Sequence, residues 1–468
     1  MKTKSFLCAF WIVLMISWLA LVGYDRFGAA QSSKNVGGII ASDTTWIKAN
    51  SPYNLTANIL VSSGATLTIE ADITLNLNNH YIRVDGALII KPGVIINIKS
   101  AVEDGSIQVN GIINARGARN NPIQINGAVS GQYLSPDYSS ITFSQSSIDW
   151  NEINRSGSII ENTIIHSTYL DIRNSLRVAN ITFIDGEINI FDGSPVISDS
   201  NITGRISVSG GSPIIAGNDL SGGFISLYGK SVGENVIISD NVISSAKTSM
   251  GKGTAGIWFG GSQEIGGHVL IQRNLITDNQ EGIQIFRPNS EELKTSLTIQ
   301  NNTIVGNTVA ISVLSRYSPT IMYNNIYNNS FSIQLSQDAS SDIDAVYNWW
   351  GMTDAKIFSQ SIFDSKNDST LGTVKYDPCL TALNPNATPH PNLSQAMIPA
   401  PTMMPTPTPS VSAMPKETSS PEPTSTPKPV LSQESRQKRQ LETIIGVGIT
   451  VIVCGAGLGF LAYLVKKN

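Results

Sequence analysis

The chain has 468 residues, 31 basic against 35 acidic, a net charge of −4, and only 14% charged residues. That balance argues against a nucleic-acid partner, which would call for a basic patch or stripe. Only three cysteines are present, and two of them, Cys8 and Cys454, lie in apolar runs at the two ends. Cys379 is left alone, so stability has to come from burial and backbone pairing instead of a disulfide framework.

At the N-terminus, Lys2 and Lys4 precede the uncharged run from Phe6 to Val22, followed by Gly28-Ala29-Ala30. This is the pattern of a signal peptide over residues 1–30, with cleavage before Gln31. Residues 31–53, including Trp46, are expected to cap a repeat domain. From Asn54 the chain becomes strand-rich, in phrases such as Gly64-Ala65-Thr66-Leu67-Thr68-Ile69 and Gly111-Ile112-Ile113-Asn114-Ala115-Arg116-Gly117.

A repeating unit I-x-x-N-x-I follows, with copies starting at 159, 178, 197, 215, 238, 271, 299 and 321. In two of them Ile181 and Ser200 stand in the asparagine's place. A fixed unit separated by variable insertions is the mark of a solenoid whose extra residues bulge out as loops. Each unit carries a second short strand, from Leu170-x-Ile172 through Ile283-x-Ile285 to Ile333-x-Leu335, and strand alternation turns these apolar residues inward. The asparagines Asn162, Asn218, Asn241, Asn274, Asn302 and Asn324 should stack at one corner and bond along the stack. The fold class is therefore all-β, a parallel β-helix over residues 54–378.

Beyond Pro378 the composition changes. Thirteen of the 22 prolines fall between Pro385 and Pro429, among Thr and Ser. Such a segment buries no core and favours extended conformations, so 379–441 is expected to be a stalk. Within 442–468, Thr443 to Val465 carries no charge and is long enough to cross a ~30 Å hydrocarbon core at about 1.5 Å per residue. Lys466 and Lys467 close the chain. The expected location is the cell membrane, with one span and a large extracellular domain.

The I-x-x-N-x-I units resemble the repeats of the right-handed parallel β-helix proteins of the pectate-lyase-like superfamily. The opening Ser62 to Glu70 and the phrase Val109 to Ile125 are similar to the first coils of archaeal and bacterial surface β-helix proteins, and Asn348-Trp349-Trp350-Gly351 to a phrase near their last coils. This implies right-handed coils. It implies no particular reaction, because one fold hosts many functions.

The strand alignment places Asp171, Asn189, Ser207, Ser226, Trp258, Gln284, Ser312 and Gln334 in one outward column. Asp171, Arg173, Glu187 and Arg205 concentrate charge on three successive rungs. Two carboxylates in an open groove would suit an inverting polysaccharide hydrolase, and the same four residues also fit a surface salt-bridge ladder. The paired aspartates with Gly-His-Gly of polygalacturonases and the Arg-x-Pro-x-x-Arg of pectate lyases are absent. The four histidines, His80, His166, His268 and His390, lack ligand spacing, so no metal or cofactor is expected.

Tyr169, Phe191, Phe224, Tyr228, Trp258 and Phe286 are predicted outward, where rings stack on sugars unless loops such as 244–256 and 260–269 fold over them. Nine Asn-x-Ser/Thr sequons begin at Asn54, Asn154, Asn180, Asn201, Asn301, Asn328, Asn367, Asn386 and Asn392. Of these, Asn301 and Asn328 sit nearest turns. The functional expectation is a structural or adhesive surface protein that binds polysaccharide or envelope components, with a carbohydrate-active enzyme as the alternative.

Overall fold

The structure is a computed structural model that describes residues 33–99, 106–127, 139–232, 235–246, 255–260, 267–286, 295–336 and 338–389. The expected signal peptide, most of the stalk and the apolar C-terminal segment lie outside these residues. Among the described residues, no helix is long and apolar enough to cross a membrane.

Among the described residues the strands fall into a 14-stranded and a 25-stranded sheet, and neighbouring rungs pair in parallel. One coil shows the plan. Gly267–Gln272 lies in the smaller sheet, while Leu275–Thr277 and Glu281–Phe286 lie in the larger one. Each strand pairs with its counterpart one coil on: Ile271 with Ile299, Ile276 with Ile304, and Ile283 with Ile311. Parallel strands cannot be joined by a tight hairpin, so a full turn of chain separates every pair. The inward residues form an unbroken core from Tyr53 and Leu55 to Ile362 and Val374.

Seven of the eight predicted unit starts align in the observed register, from Val178 with Ile197 to Ile299 with Ile321. The eighth is displaced by one residue, because Ile160, not Ile159, pairs with Val178. The shift removes Asn162 from the ladder. Thr163, only 1% exposed, takes the inward place, and Asn162 adopts a left-handed backbone with φ +48°. It joins a column of left-handed residues, Asn180, Asp199, Gly217, Asp240, Arg273, Asn301, Tyr323 and Tyr347, that turns the chain at this corner in successive coils. Asparagine suits both positions, since it tolerates that conformation better than most residues. Sequence spacing therefore does not separate the two.

The other five asparagines form the expected ladder, which extends to Asn348. Asn302 shows the pattern. Its Nδ2 donates to Ile271 O, Gln300 O and Asn324 Oδ1, and its Oδ1 accepts from the backbone and side-chain nitrogens of Asn274 at 3.0 and 2.9 Å. A second ladder, Asn279, Asn307 and Asn329, occupies the next corner. It is legible in retrospect as an asparagine five residues after Asn274, Asn302 and Asn324.

The two ends differ from expectation. Lys34–Ile40 already pairs with Tyr53–Val61, and Thr44–Trp46 with Thr66–Ile69, so the segment expected as a cap is itself a coil. Trp46 stacks on Tyr53 at 4.9 Å and closes the core there. At the other end, residues 379–389 do not leave as a stalk but fold back along the corner. Leu380 N donates to Asn348 O, Asn384 bonds Asn325 and Asn301, and Thr303 Oγ1 donates to Ala387 O at 2.6 Å. The Asn301 sequon is therefore engaged by the chain itself, whereas Asn328 is exposed.

Replacing Asn302 by Ala leaves the buried Asn274 backbone and side-chain nitrogens without their acceptor and takes a donor from Asn324 Oδ1, and is expected to cost about 2–3 kcal/mol. Asn162→Gly keeps the left-handed turn and should change stability by less than about 1 kcal/mol. Urea denaturation of the two variants checks the contrast, and equal losses would contradict the one-residue displacement.

Candidate functional site

The outward column of the second strand in each coil is continuous. Asp171 pairs with Asn189, then Ser207, Ser226, Trp258, Gln284, Ser312 and Gln334 follow on successive rungs. Alternation turned these side chains out because their neighbours, Leu170, Ile172 and their equivalents, are fully buried inward.

The structure brings the predicted charged residues together. Glu187 lies one rung after Tyr169 and one before Arg205, and its carboxylate contacts the Arg205 guanidinium. Asp171 accepts from Asn189 Nδ2 at 2.8 Å. Arg173 is drawn off to the side, with its guanidinium 4.3 Å from the centre of the Phe191 ring. The Ser207 and Tyr228 hydroxyls are hydrogen-bonded at 3.1 Å. Tyr169 is half-buried beside Glu187.

Burial governs the electrostatics of this cluster. Glu187 is 5% exposed, and burial followed by the charge of Asp171 pushes its carboxyl up to about 7, against a hydrogen bond from Ser207. The Arg205 contact favours the charged form and opposes that rise. Asp171 is also raised by burial, with Asn189 and Arg173 acting against it. Arg205 is lowered by burial. This is a coupled, near-neutral cluster in which one more proton is easily held. It combines the two sequence alternatives, since the charges are paired as in a salt bridge and also largely desolvated.

The aromatic residues occupy the neighbouring outward positions. Phe191 and Phe286 are 37% and 38% exposed, and Tyr169, Phe224, Tyr228 and Trp258 are half-buried. Gly260 follows Trp258 by two positions on the same outward side, and a Cβ there would meet the indole at 2.4 Å. With no side chain at 260, the ring lies across that place. Tyr228, the Trp258 indole and Phe286 thus stand on three successive rungs, about 4.8 Å apart. Between them the Ser226 hydroxyl, 3% exposed, has no hydrogen-bond partner. The loop residues 247–254 and 261–266, which sequence alone could fold over these rings, lie outside the described residues.

One group was missed. Glu281 has the same parity as the inward Ile283 and Ile285, so alternation assigns it to the core. In the structure it is half-buried and accepts from Gln284 Nε2 and from Ser312, and its carboxyl is raised by burial. The available signal was a carboxylate at an apolar position, three residues before an outward glutamine. A separate outward ladder, Asn54, Asn76, Asn97 and Asn126, also went unread. A recess of about 420 Å³ lies on another strand column, among Arg119, Asn162, Asn180, Asp199 and Asn201, and none of Asp171, Glu187 and Glu281 lines it. Among the described residues no cluster of His, Cys, Asp and Glu could hold a metal ion.

A carboxyl raised on folding binds its proton more tightly in the folded chain, so its contribution to stability falls as pH rises from the unfolded value through about 7. Glu187→Gln is therefore expected to gain stability relative to the parent, on the order of 1–3 kcal/mol between pH 4.5 and 8. Denaturation at several pH values measures this, and a difference independent of pH would show that Arg205 cancels the burial effect.

Residues 196–349 match the family described as "Right handed beta helix region". Two solved structures align over 74% of this chain and 83% of theirs: the periplasmic alginate epimerase AlgG, at 13% identity and a TM-score of 0.39, and a point mutant of it, at 14% and 0.40. No curated protein sequence matches. The inward isoleucine columns and the parallel rungs make the described residues a parallel β-helix, and residues 196–349 of it match the right-handed β-helix region.

Proposed function

We propose that this protein is an exported, cell-surface β-helix that binds polysaccharide along its outward strand face and does not cleave it. The observation that carries the reading is the row of Tyr228, Trp258 and Phe286 on consecutive rungs, beside recessed serines and half-buried amides. Rings spaced along a parallel sheet present flat apolar faces at regular intervals, and exposed apolar rows of this kind mark interaction surfaces. Amides and hydroxyls beside them supply donors and acceptors for sugar hydroxyls, while the rigid coil keeps the geometry fixed without cost on binding. The uncharged run from Thr443 to Val465 supports a single membrane anchor, and Lys2 to Ala30 supports export.

A second reading is a hydrolase centred on Asp171 and Glu187, favoured by a carboxyl held near neutral pH beside a second carboxylate. A proton donor of that kind suits acid-assisted cleavage. Against it, Glu187 is almost fully buried and engaged by Arg205.

The two separate cleanly when the protein is incubated with neutral and acidic polysaccharides and both retention and new reducing ends are measured. Retention without new ends is expected, with at least a several-fold loss in Phe286→Ala. Release of reducing ends that disappears in Asp171→Asn or Glu187→Gln would replace the binding reading with the enzymatic one.

A further inference from the structure

Resting on that reading, we infer that the face selects uncharged, hydroxyl-rich polysaccharide and discriminates against polyanionic chains. The inference comes from how charge is distributed around the ring row. On one side lie Asp171 and Glu187, and on the other lies Glu281. The strands 187–190, 205–211, 224–232, 255–260 and 281–286 are consecutive rungs, so the two carboxylate clusters bracket the rings over about 19 Å.

Arg173 and Arg205, the described arginines beside these carboxylates, are already engaged. Arg205 contacts Glu187, and Arg173 is the positive charge that acts on Asp171 while its guanidinium covers Phe191. A polymer carrying a carboxylate or sulfate on every sugar would meet an acidic group at each end of the row and would have to displace one of these pairs to reach Arg173 or Arg205. Like charges set against each other cost affinity even where the contact surface is good.

The recessed floor points the same way. Ser207, Ser226 and Ser312 are 2%, 3% and 4% exposed, beneath larger neighbours. The unpartnered Ser226 hydroxyl sits between the rungs of Ser207 and Trp258. A buried hydroxyl without a partner is costly, and a ligand hydroxyl that reaches it recovers that cost. The Glu281 carboxylate with Gln284, and Asp171 with Asn189, are acceptor and amide pairs of the kind that read adjacent hydroxyls. Among the described residues of this face, rings, hydroxyls and amides stand without an unpaired cation, which suits a neutral pyranose chain.

The test uses the full-length protein in detergent and backbone-matched polymers: a β-glucan, a mannan and a galactan, each beside its own C6-oxidised, carboxylated form. Affinity electrophoresis should show at least one neutral polymer binding ten-fold or more tightly than its oxidised counterpart. Trp258→Ala should lose at least five-fold for that polymer, and Trp258→Phe should keep most of the affinity, which separates loss of the ring from loss of fold. An oxidised polymer bound as tightly as its neutral parent, or more so, with the same sensitivity to Trp258→Ala, overturns the selectivity and leaves the polysaccharide-binding face standing. Binding of none of the six polymers overturns both.

Discussion

Every feature of this protein depends on the pairing of each strand with the strand one full coil away. The hydrogen bonds between parallel rungs demand that equivalent residues repeat at the same place in the coil, whatever length of chain lies between them. A side chain repeated at one position then becomes a column. Isoleucine columns make the core, asparagine columns bind one corner to the next, and left-handed residues turn the chain at the same place in coil after coil. Because the side-chain period along a strand is two, a slip of one residue would turn the core outward. The ladder of Asn218, Asn241, Asn274, Asn302, Asn324 and Asn348 opposes such a slip, since each amide fits only when its neighbours are in phase.

The same constraint makes a surface with chemistry on it. The rung spacing brings outward residues against outward residues from coils that are 18 to 32 positions away in sequence, as Asp171 meets Asn189 and Ser226 stands beside Trp258. Asp171, Glu187 and Arg205 therefore share one local field although no short motif joins them. Their desolvation comes from flanking side chains on adjacent rungs, which explains why a pair of surface charges behaves as a half-buried cluster. Gly260 plays the opposite part: by presenting nothing, it yields its place in the column to the Trp258 indole.

The terminal regions show how far coil logic extends. Trp46 and Tyr53 lie in the first turns of the stack and close its core by stacking, so the end of the solenoid is built from ordinary rungs with larger side chains. At the other end Trp350 stacks on Phe358, and the following chain runs back along the corner to Asn325 and Thr303. That return path uses side chains, Asn301, Thr303 and Asn325, that project from the corner and would otherwise need other partners.

The fold class, the inward columns, seven of eight unit registers and the outward polar column are legible in the residues alone, because periodic burial and rung pairing are written residue by residue. The sequence also brought Asp171, Glu187, Arg173 and Arg205 to one place on paper. Tertiary structure alone decided what sequence periodicity leaves equal. Asn162 reads as a ladder asparagine, yet the pairing of Ile160 with Val178 makes it a turn residue, since asparagine is at home in both settings. Glu281 reads as inward by parity, yet a carboxylate without a buried partner bends out to Gln284 and Ser312. The raised carboxyl of Glu187, the indole lying over Gly260 and the unpartnered Ser226 hydroxyl likewise arise from neighbours one coil away. Burial and contact across rungs depend on the size of side chains far off in sequence, and no local pattern records them.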